Sequence, residues 1–267
     1  MKDNSNNTDG KSDKRYKRDG KERNNEGKVR VRLYIPDAEH GKKVRLDVQQ
    51  QRHLKVLRVK KGERIRVFDG RGREFEAIYS GKVRDNSLLL EREIDPLPEP
   101  GASITLATAV PKGKRADFLV EKVSELGVSR IIPIIYARSS VIPRDAKIER
   151  LRKIATEACA QSGRSTIPEI EKPITFAQAL EKVREYNKAF LCHLSGELLQ
   201  KAYHDETSII IFIGPEGDFA PSELEAAQEA GIVKVRLGST IQRVETAAIS
   251  AVSQLCALCE ARRKLYK

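Results

Sequence analysis

Cysteine and histidine are both scarce in this chain, with four of each in 267 residues. Cys159, Cys192, Cys256 and Cys259 are too few to staple a chain of this length, which excludes the disulfide framework of small secreted proteins and fits a reducing compartment. Cys256 and Cys259 form a Cys-x-x-Cys, but it lies inside the helical run 249–261, where a spacing of three puts both on one face as small core residues. No second ligand pair follows it. His40, His53, His193 and His204 are scattered without metal-ligand spacing, so no metal is expected. No strand is followed by Gly-x-Gly-x-x-Gly, and Lys112-Gly113-Lys114 lacks the earlier glycine and the following hydroxyl of a phosphate-binding loop, so neither nucleotide-binding signature is present. No stretch approaches the roughly 20 apolar residues of a membrane helix, and the first residues lack the apolar core of a signal peptide. The expectation is a soluble, cytoplasmic protein with no membrane partner.

Positive charge is abundant. Fifty Lys and Arg against 38 Asp and Glu leave a formal charge of +12, a surface that attracts polyanions. Residues 1–28 are polar and of mixed charge with a single aromatic, Tyr16, and cannot bury enough apolar surface to offset the entropy of ordering. This segment reads as a disordered tail, either a solubilising extension or a weak, salt-sensitive polyanion contact.

Short strands dominate the next segment, at 29–35, 44–46, 64–68, 73–79 and 88–90, with one helix at about 48–59 and Gly-containing turns between them. They read as a small β-barrel over 29–95. Asp95-Pro96-Leu97-Pro98-Glu99-Pro100-Gly101 is a stiff linker, and 96–101 marks the domain boundary. From 102 to 267 strands alternate with helices. Strands are expected at 103–109, 130–135, 189–193, 208–213 and 233–237, and helices at 114–126, 147–162, 176–185, 222–230 and 245–262. Such alternation predicts an α/β domain with a mostly parallel sheet covered on both faces.

Two loops carry the most information. Gly214-Pro215-Glu216-Gly217-Asp218-Phe219 follows the buried run Ser208-Ile209-Ile210-Ile211-Phe212-Ile213, and Leu237-Gly238-Ser239-Thr240-Ile241-Gln242-Arg243-Val244-Glu245-Thr246-Ala247 follows a second β-branched run. Each precedes a helical pattern, so the spacing predicts that both loops meet on one rim at the strand ends, where open α/β sheets bind ligands.

These loops resemble those of the bacterial small-subunit ribosomal RNA uridine-N3 methyltransferases, members of the SPOUT superfamily of knotted methyltransferases. The resemblance covers about residues 29–262. It extends to Pro111-Lys112-Gly113-Lys114-Arg115-Ala116-Asp117 with Lys122-Val123-Ser124-Glu125-Leu126-Gly127-Val128, to Ala137-Arg138-Ser139-Ser140-Val141, to 154–164, and to His53-Leu54-Lys55-Val56-Leu57-Arg58. It implies a PUA-like RNA-binding barrel, a C-terminal α/β-knot domain, a homodimer, S-adenosylmethionine as cofactor, and 16S ribosomal RNA of the small subunit as partner. It also implies a cofactor pocket made by Gly214, Glu216, Gly217, Leu237, Gly238, Ile241, Gln242, Arg243 and Thr246. Three positions depart from the family pattern: Asp218 replaces a second glycine, Thr240 an arginine, and Gln242 an apolar residue.

Uridine N3 is protonated at neutral pH, so its methylation needs a methyl donor held in line, a proton acceptor, and donors that stabilise charge on the uracil oxygens. Glycines at 214, 217 and 238 let backbone approach a cofactor closely. Glu216 and Glu245 are the candidate acceptors, with Glu216 ranked first because a carboxylate in the first turn of a helix, like Glu245, is also favoured by the helix dipole alone. Arg243 reads as a rim cation for RNA or as a partner of Glu245. Arg32, His53, Arg58, Arg138 and Arg164 are candidate RNA contacts. The competing readings are a non-catalytic RNA-binding or ribosome-assembly protein on the same fold, and a SPOUT methyltransferase of another RNA.

Overall fold

The computed structural model describes residues 31–81 and 86–263. The tail expected at 1–28 and the start of the strand expected at 29–35 lie outside the described residues. The N-terminal unit contains β1 (Arg32–Tyr34), β2 (Lys43–Arg45), α1 (Val48–Val56), β3 (Arg64–Phe68), β4 (Glu74–Tyr79) and β5 (Ser87–Ile94). Its five strands form one curled sheet in the order β1-β3-β4-β5-β2, with β1 parallel to β3 and the other pairs antiparallel. Side chains from one face, among them Leu33, Ile65, Val67, Phe75, Leu88 and Leu90, gather around Leu54 of α1. Asp47 starts α1 by accepting from the Gln50 amide while Gln50 accepts from the Asp47 amide, a reciprocal capping box.

The C-terminal unit runs β6 (Ser103–Thr108), α2 (Lys114–Leu126), β7 (Arg130–Ile135), α3 (Asp145–Ser162), β8 (Glu169–Ile170), β9 (Ile174–Thr175), α4 (Phe176–Glu181) with a 3-10 turn Lys182–Glu185, β10 (Lys188–Leu198), α5 (Leu199–Ala202), β11 (Ser208–Ile213), α6 (Pro221–Glu229), β12 (Val233–Arg236) and α7 (Val244–Arg263). Its strands are parallel in the order β12-β10-β11-β6-β7-β8, and β9 also pairs with β7. β6, β7 and β11 are buried along nearly their whole length, as continuous apolar strands are when both faces are covered. On α2, Ala116, Leu119, Val120 and Val123 follow helical spacing and are buried, and Gly127 ends the helix in the left-handed conformation, its N–H bonded to the Val123 carbonyl. α2 packs between α3 and α7.

α7 corrects one expectation. Its segment Val244–Ala261 reaches a mean hydropathy of 1.2 over 18 residues, enough to cross a membrane by length and composition. Here it is a core helix: Val244, Ala248, Ala251, Val252 and Leu255 are buried, against α2, β6 and β11. Cys256 and Cys259 belong to this packed face; the Cys256 thiol donates to the Leu126 carbonyl, and Cys259 bonds with the Tyr203 hydroxyl.

Two arginines that the sequence suggested as RNA contacts are largely buried where the units and the linker meet. Arg32 pairs with both carboxylate oxygens of Glu74 at 2.9 Å, and its guanidinium also donates to the carbonyls of Cys159 and Arg164 and to Ser165 Oγ. Its side chain is 11% exposed and that of Glu74 1%. Arg164 is buried, donating to Glu99 in the linker and to the carbonyls of Ser124 and Val128. Neither guanidinium faces outward to meet phosphate. The linker is accordingly tied down: Glu99 is held by Arg164, and Pro100 packs against Gly127.

Arg32→Ala would leave the buried Glu74 carboxylate with only Arg66, 3.6 Å away, as counter-charge, and is expected to lower stability by roughly 3 kcal/mol. Urea denaturation checks this, and a loss below about 1 kcal/mol would show that the pair is no stronger than a surface bridge. Burial pushes the Cys159 thiol up to about 11 and the Cys256 thiol up to about 12. Both stay neutral at pH 8, so native protein resists alkylation there until it is unfolded. The unfolded thiols ionise at lower pH than the folded ones, so this contribution to stability is complete below about pH 9 and falls as pH rises from there toward 11 and 12. Stability that rises over that interval contradicts the assignment.

Candidate functional site

The loop after β11 and the loop after β12 converge. They line a cleft of about 560 Å3, to which Gly214, Glu216, Leu237, Ile241, Gln242 and Arg243 of the expected cofactor set contribute. Gly214 is required by contact: a Cβ there would stand 2.7 Å from the Phe219 ring, which closes down on the turn. Phe219 is buried in an aromatic cluster with Tyr136 and Phe176, the former edge-on at 5.2 Å between centroids. Burial pushes the Tyr136 phenol well above its usual range, and the Glu223 charge acts in the same direction.

Glu223 ties this region together. Its buried carboxylate accepts from the Ala220 amide at the start of α6 and from the Ala137 amide after β7. The adjacent Arg138 donates to the carbonyls of Gly217 and Phe219. Its guanidinium therefore braces the turn, whereas the sequence suggested an RNA contact. Gly217 lies against Arg138 and does not line the cleft. Gly238 is also outside the lining, and a Cβ there would meet nothing, so crowding within the chain does not demand glycine at 238. The Leu237 carbonyl is fixed by Gln254 of α7.

The departure at Asp218 has a local explanation. Its φ is +61°, in the region natural to glycine, and Asp is among the few other residues that tolerate it, here with its own Oδ1 accepting from the Phe219 amide. Asp218 Oδ2 lies 3.7 Å from His193 Nε2. His193, Leu194 and Cys192, from the last part of β10, form a wall of the cleft that the sequence reading missed.

A second cleft, of about 800 Å3, adjoins the first and shares residues 240–243 with it. Thr246 and Glu245 line this second space, together with Lys114, Arg115 and Phe118. Arg115 stands 3.6 Å from Glu216 and 4.0 Å from Glu245, one cation facing both candidate acceptors. Glu245 is 8% exposed, and its Oε2 has no hydrogen-bond partner among the described residues; Glu216 is exposed at the rim. Gln242 likewise keeps a buried Oε1 without a donor. Ile241, expected as an apolar wall, is 86% exposed at the ridge between the clefts. His53 and Arg58 are exposed on the N-terminal unit.

Family models place this two-part fold, with paired loops opening a cleft at the parallel strand ends, among RNA methyltransferases with a PUA domain. The RNA methyltransferase domain family matches residues 98–256, and the RNA methyltransferase PUA domain family matches residues 46–90. The ribosomal RNA small subunit methyltransferase E of a Synechocystis strain is 35% identical over 227 residues, covering 81% of this chain and 74% of that protein. A crystal structure of ribosomal RNA small subunit methyltransferase E from Neisseria gonorrhoeae, bound to S-adenosyl methionine, superposes with a TM-score of 0.80 at 34% identity, covering 85% of this chain and 97% of that one. A structure from Legionella pneumophila with the bound cofactor SAM gives 0.78 at 29% identity, covering 85% and 97%. The chain belongs to the ribosomal RNA small subunit methyltransferase E family.

If the left-handed turn is what selects the residue at 218, Asp218→Gly leaves stability within about 0.5 kcal/mol, while β-branched Asp218→Val costs roughly 1–2 kcal/mol. Chemical denaturation of both variants checks this, and equal losses would reject backbone conformation as the cause.

Proposed function

We propose that this protein methylates N3 of one uridine in 16S ribosomal RNA of the small subunit, with S-adenosylmethionine as methyl donor. The observation that carries the reading is the junction of the two clefts, where buried Glu245, whose Oε2 has no hydrogen-bond partner among the described residues, lies beside the loops of the first cleft. The residues present suit the cofactor. The cleft between the loops is within the usual size of small-ligand sites, and the Gln242 amide oxygen, which has no donor in the described chain, is a ready acceptor for an amino or ammonium group. Gly214, Leu237 and Gln242 would hold the cofactor. When bound, S-adenosylmethionine supplies an electrophilic methyl group on a sulfonium sulfur.

The chain's own residues do the rest. A uracil N3–H needs an acceptor, and burial reverses the order in which the sequence ranked the two carboxylates. Glu216 is open to water, which competes for its oxygens, whereas Glu245 offers a desolvated oxygen with the Arg115 guanidinium 4.0 Å away. Arg243, on the ridge between the clefts, is placed to meet negative charge on a uracil oxygen or a neighbouring phosphate. His53 and Arg58 remain as exposed candidate contacts for RNA.

We also propose the division into an N-terminal PUA-like unit at 29–95, a linker at 96–101 and a methyltransferase unit at 102–267. It is supported by two separate buried clusters, one of which ends at Leu90 and the other of which begins at Ala102. A homodimer in the cytoplasm is the setting that the family resemblance implies.

Purified protein incubated with labelled S-adenosylmethionine and small subunits lacking the modification should label one uridine, mapped to N3 by mass spectrometry. Glu245→Gln should lower kcat by about 100-fold with cofactor affinity retained. Label on a ribose oxygen or another base rejects N3, and an unchanged kcat rejects Glu245 as the acceptor.

A further inference from the structure

Six of the seven phenylalanines are buried; Phe118 is 49% exposed. It stands in the wall of the 800 Å3 cleft, on α2, four residues after Lys114 and three after Arg115, a spacing that puts all three on one helical face. Across the cleft lie Arg243 and Thr246. Neither Lys114 nor Arg243 makes an ion pair with another described residue, so two of the three cations lining the space have no ion-pair partner among the described residues. The Lys122 ammonium approaches the same ring, 6.0 Å from its centroid. A half-exposed aromatic ring flanked by unpaired cations is the pattern of a nucleic-acid stacking platform, where the ring takes a base and the cations take the backbone. It does not resemble a protein-binding hot spot, which is depleted of lysine and closed by apolar neighbours.

We infer that this second cleft seats an unpaired RNA nucleotide, with its base stacked on Phe118 and its ribose-phosphate backbone met by Lys114 and Arg243. The placement has a chemical consequence. A base on Phe118 shares the cleft with Arg115 and the buried Glu245 oxygen, so a pyrimidine carbonyl and an adjacent N–H have a donor and an acceptor within the same cleft. Phe118 is a binding residue that sets the plane of the base. The inference rests on the proposed function for the identity of that base as the one modified, and on the cleft alone for the binding of a nucleotide.

The chain contains no tryptophan, so Phe118→Trp installs a single fluorophore at the proposed platform. Oligouridylate should quench its emission saturably, with an affinity that weakens as salt rises. An abasic oligomer of equal length should bind without quenching, and S-adenosylmethionine alone should leave the emission unchanged. With unmethylated small subunits, Phe118→Ala should raise KM about tenfold while cofactor affinity stays at the wild-type value, which also shows that the fold is intact; Phe118→Tyr should restore KM. Four results would overturn the inference: no quenching by oligouridylate, equal quenching by the abasic oligomer, quenching by the cofactor alone, or a Phe118→Ala enzyme with wild-type KM. A fifth would reassign the surface to a contact between copies, namely Phe118→Ala sedimenting as a smaller species than the wild type in the absence of RNA. Failure of the proposed function is separate: quenching with no label at N3 upholds the nucleotide site and rejects the reaction, whereas label at N3 with no effect of any Phe118 substitution does the reverse.

Discussion

At Gly196 the chain passes so close to another segment that only a hydrogen atom fits. A Cβ there would lie 2.5 Å from main-chain atoms of Lys234 and Val235, and rigid backbone cannot yield as a flexible side chain would. The contact falls where β10 leaves its partner and returns: Cys192 pairs with Val235, and so does Glu197. The residues between them bulge outward, and His193 and Leu194 of that bulge become a wall of the cleft. The cleft therefore depends on a backbone crossing that has no polar chemistry of its own. The same crossing fixes β12, and with it the start of the loop 237–246, which supplies Leu237, Thr240, Ile241, Gln242, Arg243 and Val244 to the lining.

Opposite that wall, the turn 214–219 is held by groups outside it. Glu223 binds the amides of Ala220 and Ala137, Arg138 binds the carbonyls of Gly217 and Phe219, and the Phe219 ring sits on Gly214. The segment after β7 and the start of α6 thus support one turn. A preformed cleft of this kind loses little entropy when it takes a ligand, and its residues hold their positions before the reactants arrive. Asp218 is the one residue of the turn in a left-handed conformation, and its aspartate is accommodated by a local hydrogen bond.

Much of the fold was legible in the sequence where a periodic signal was long enough. The bounds of β7, β11 and α2 match the apolar patterns closely, because continuous β-branched runs and a regular helical stripe have few alternative readings. β8, β9 and α5 were not foreseen, since two to four residues carry no period, and β10 runs five residues beyond its apolar core because its end is decided by Gly196 and Val235. The loops themselves were visible as glycine landmarks, and they do meet. Individual roles were harder to read. Arg32 and Arg164 are indistinguishable in sequence from surface arginines, and their carbonyl and carboxylate partners are brought to them only by tertiary structure. Arg115 belongs to the family motif 111–117 and Phe118 follows directly after it, yet nothing local shows that the arginine faces Glu216 and Glu245 or that the ring is left half open.

The bidentate clasp of Arg32 on Glu74, sealed by Ser165 and two carbonyls of the other unit, has a mechanical consequence. Such a joint cannot hinge without stripping the guanidinium of its three partners in the C-terminal unit at once, which resists motion of one half against the other. The separation between the outer face of the curled sheet and the mouth of the clefts is thereby restrained, in the manner of a caliper. A ligand that touches both ends is selected by its length and shape as much as by its chemistry.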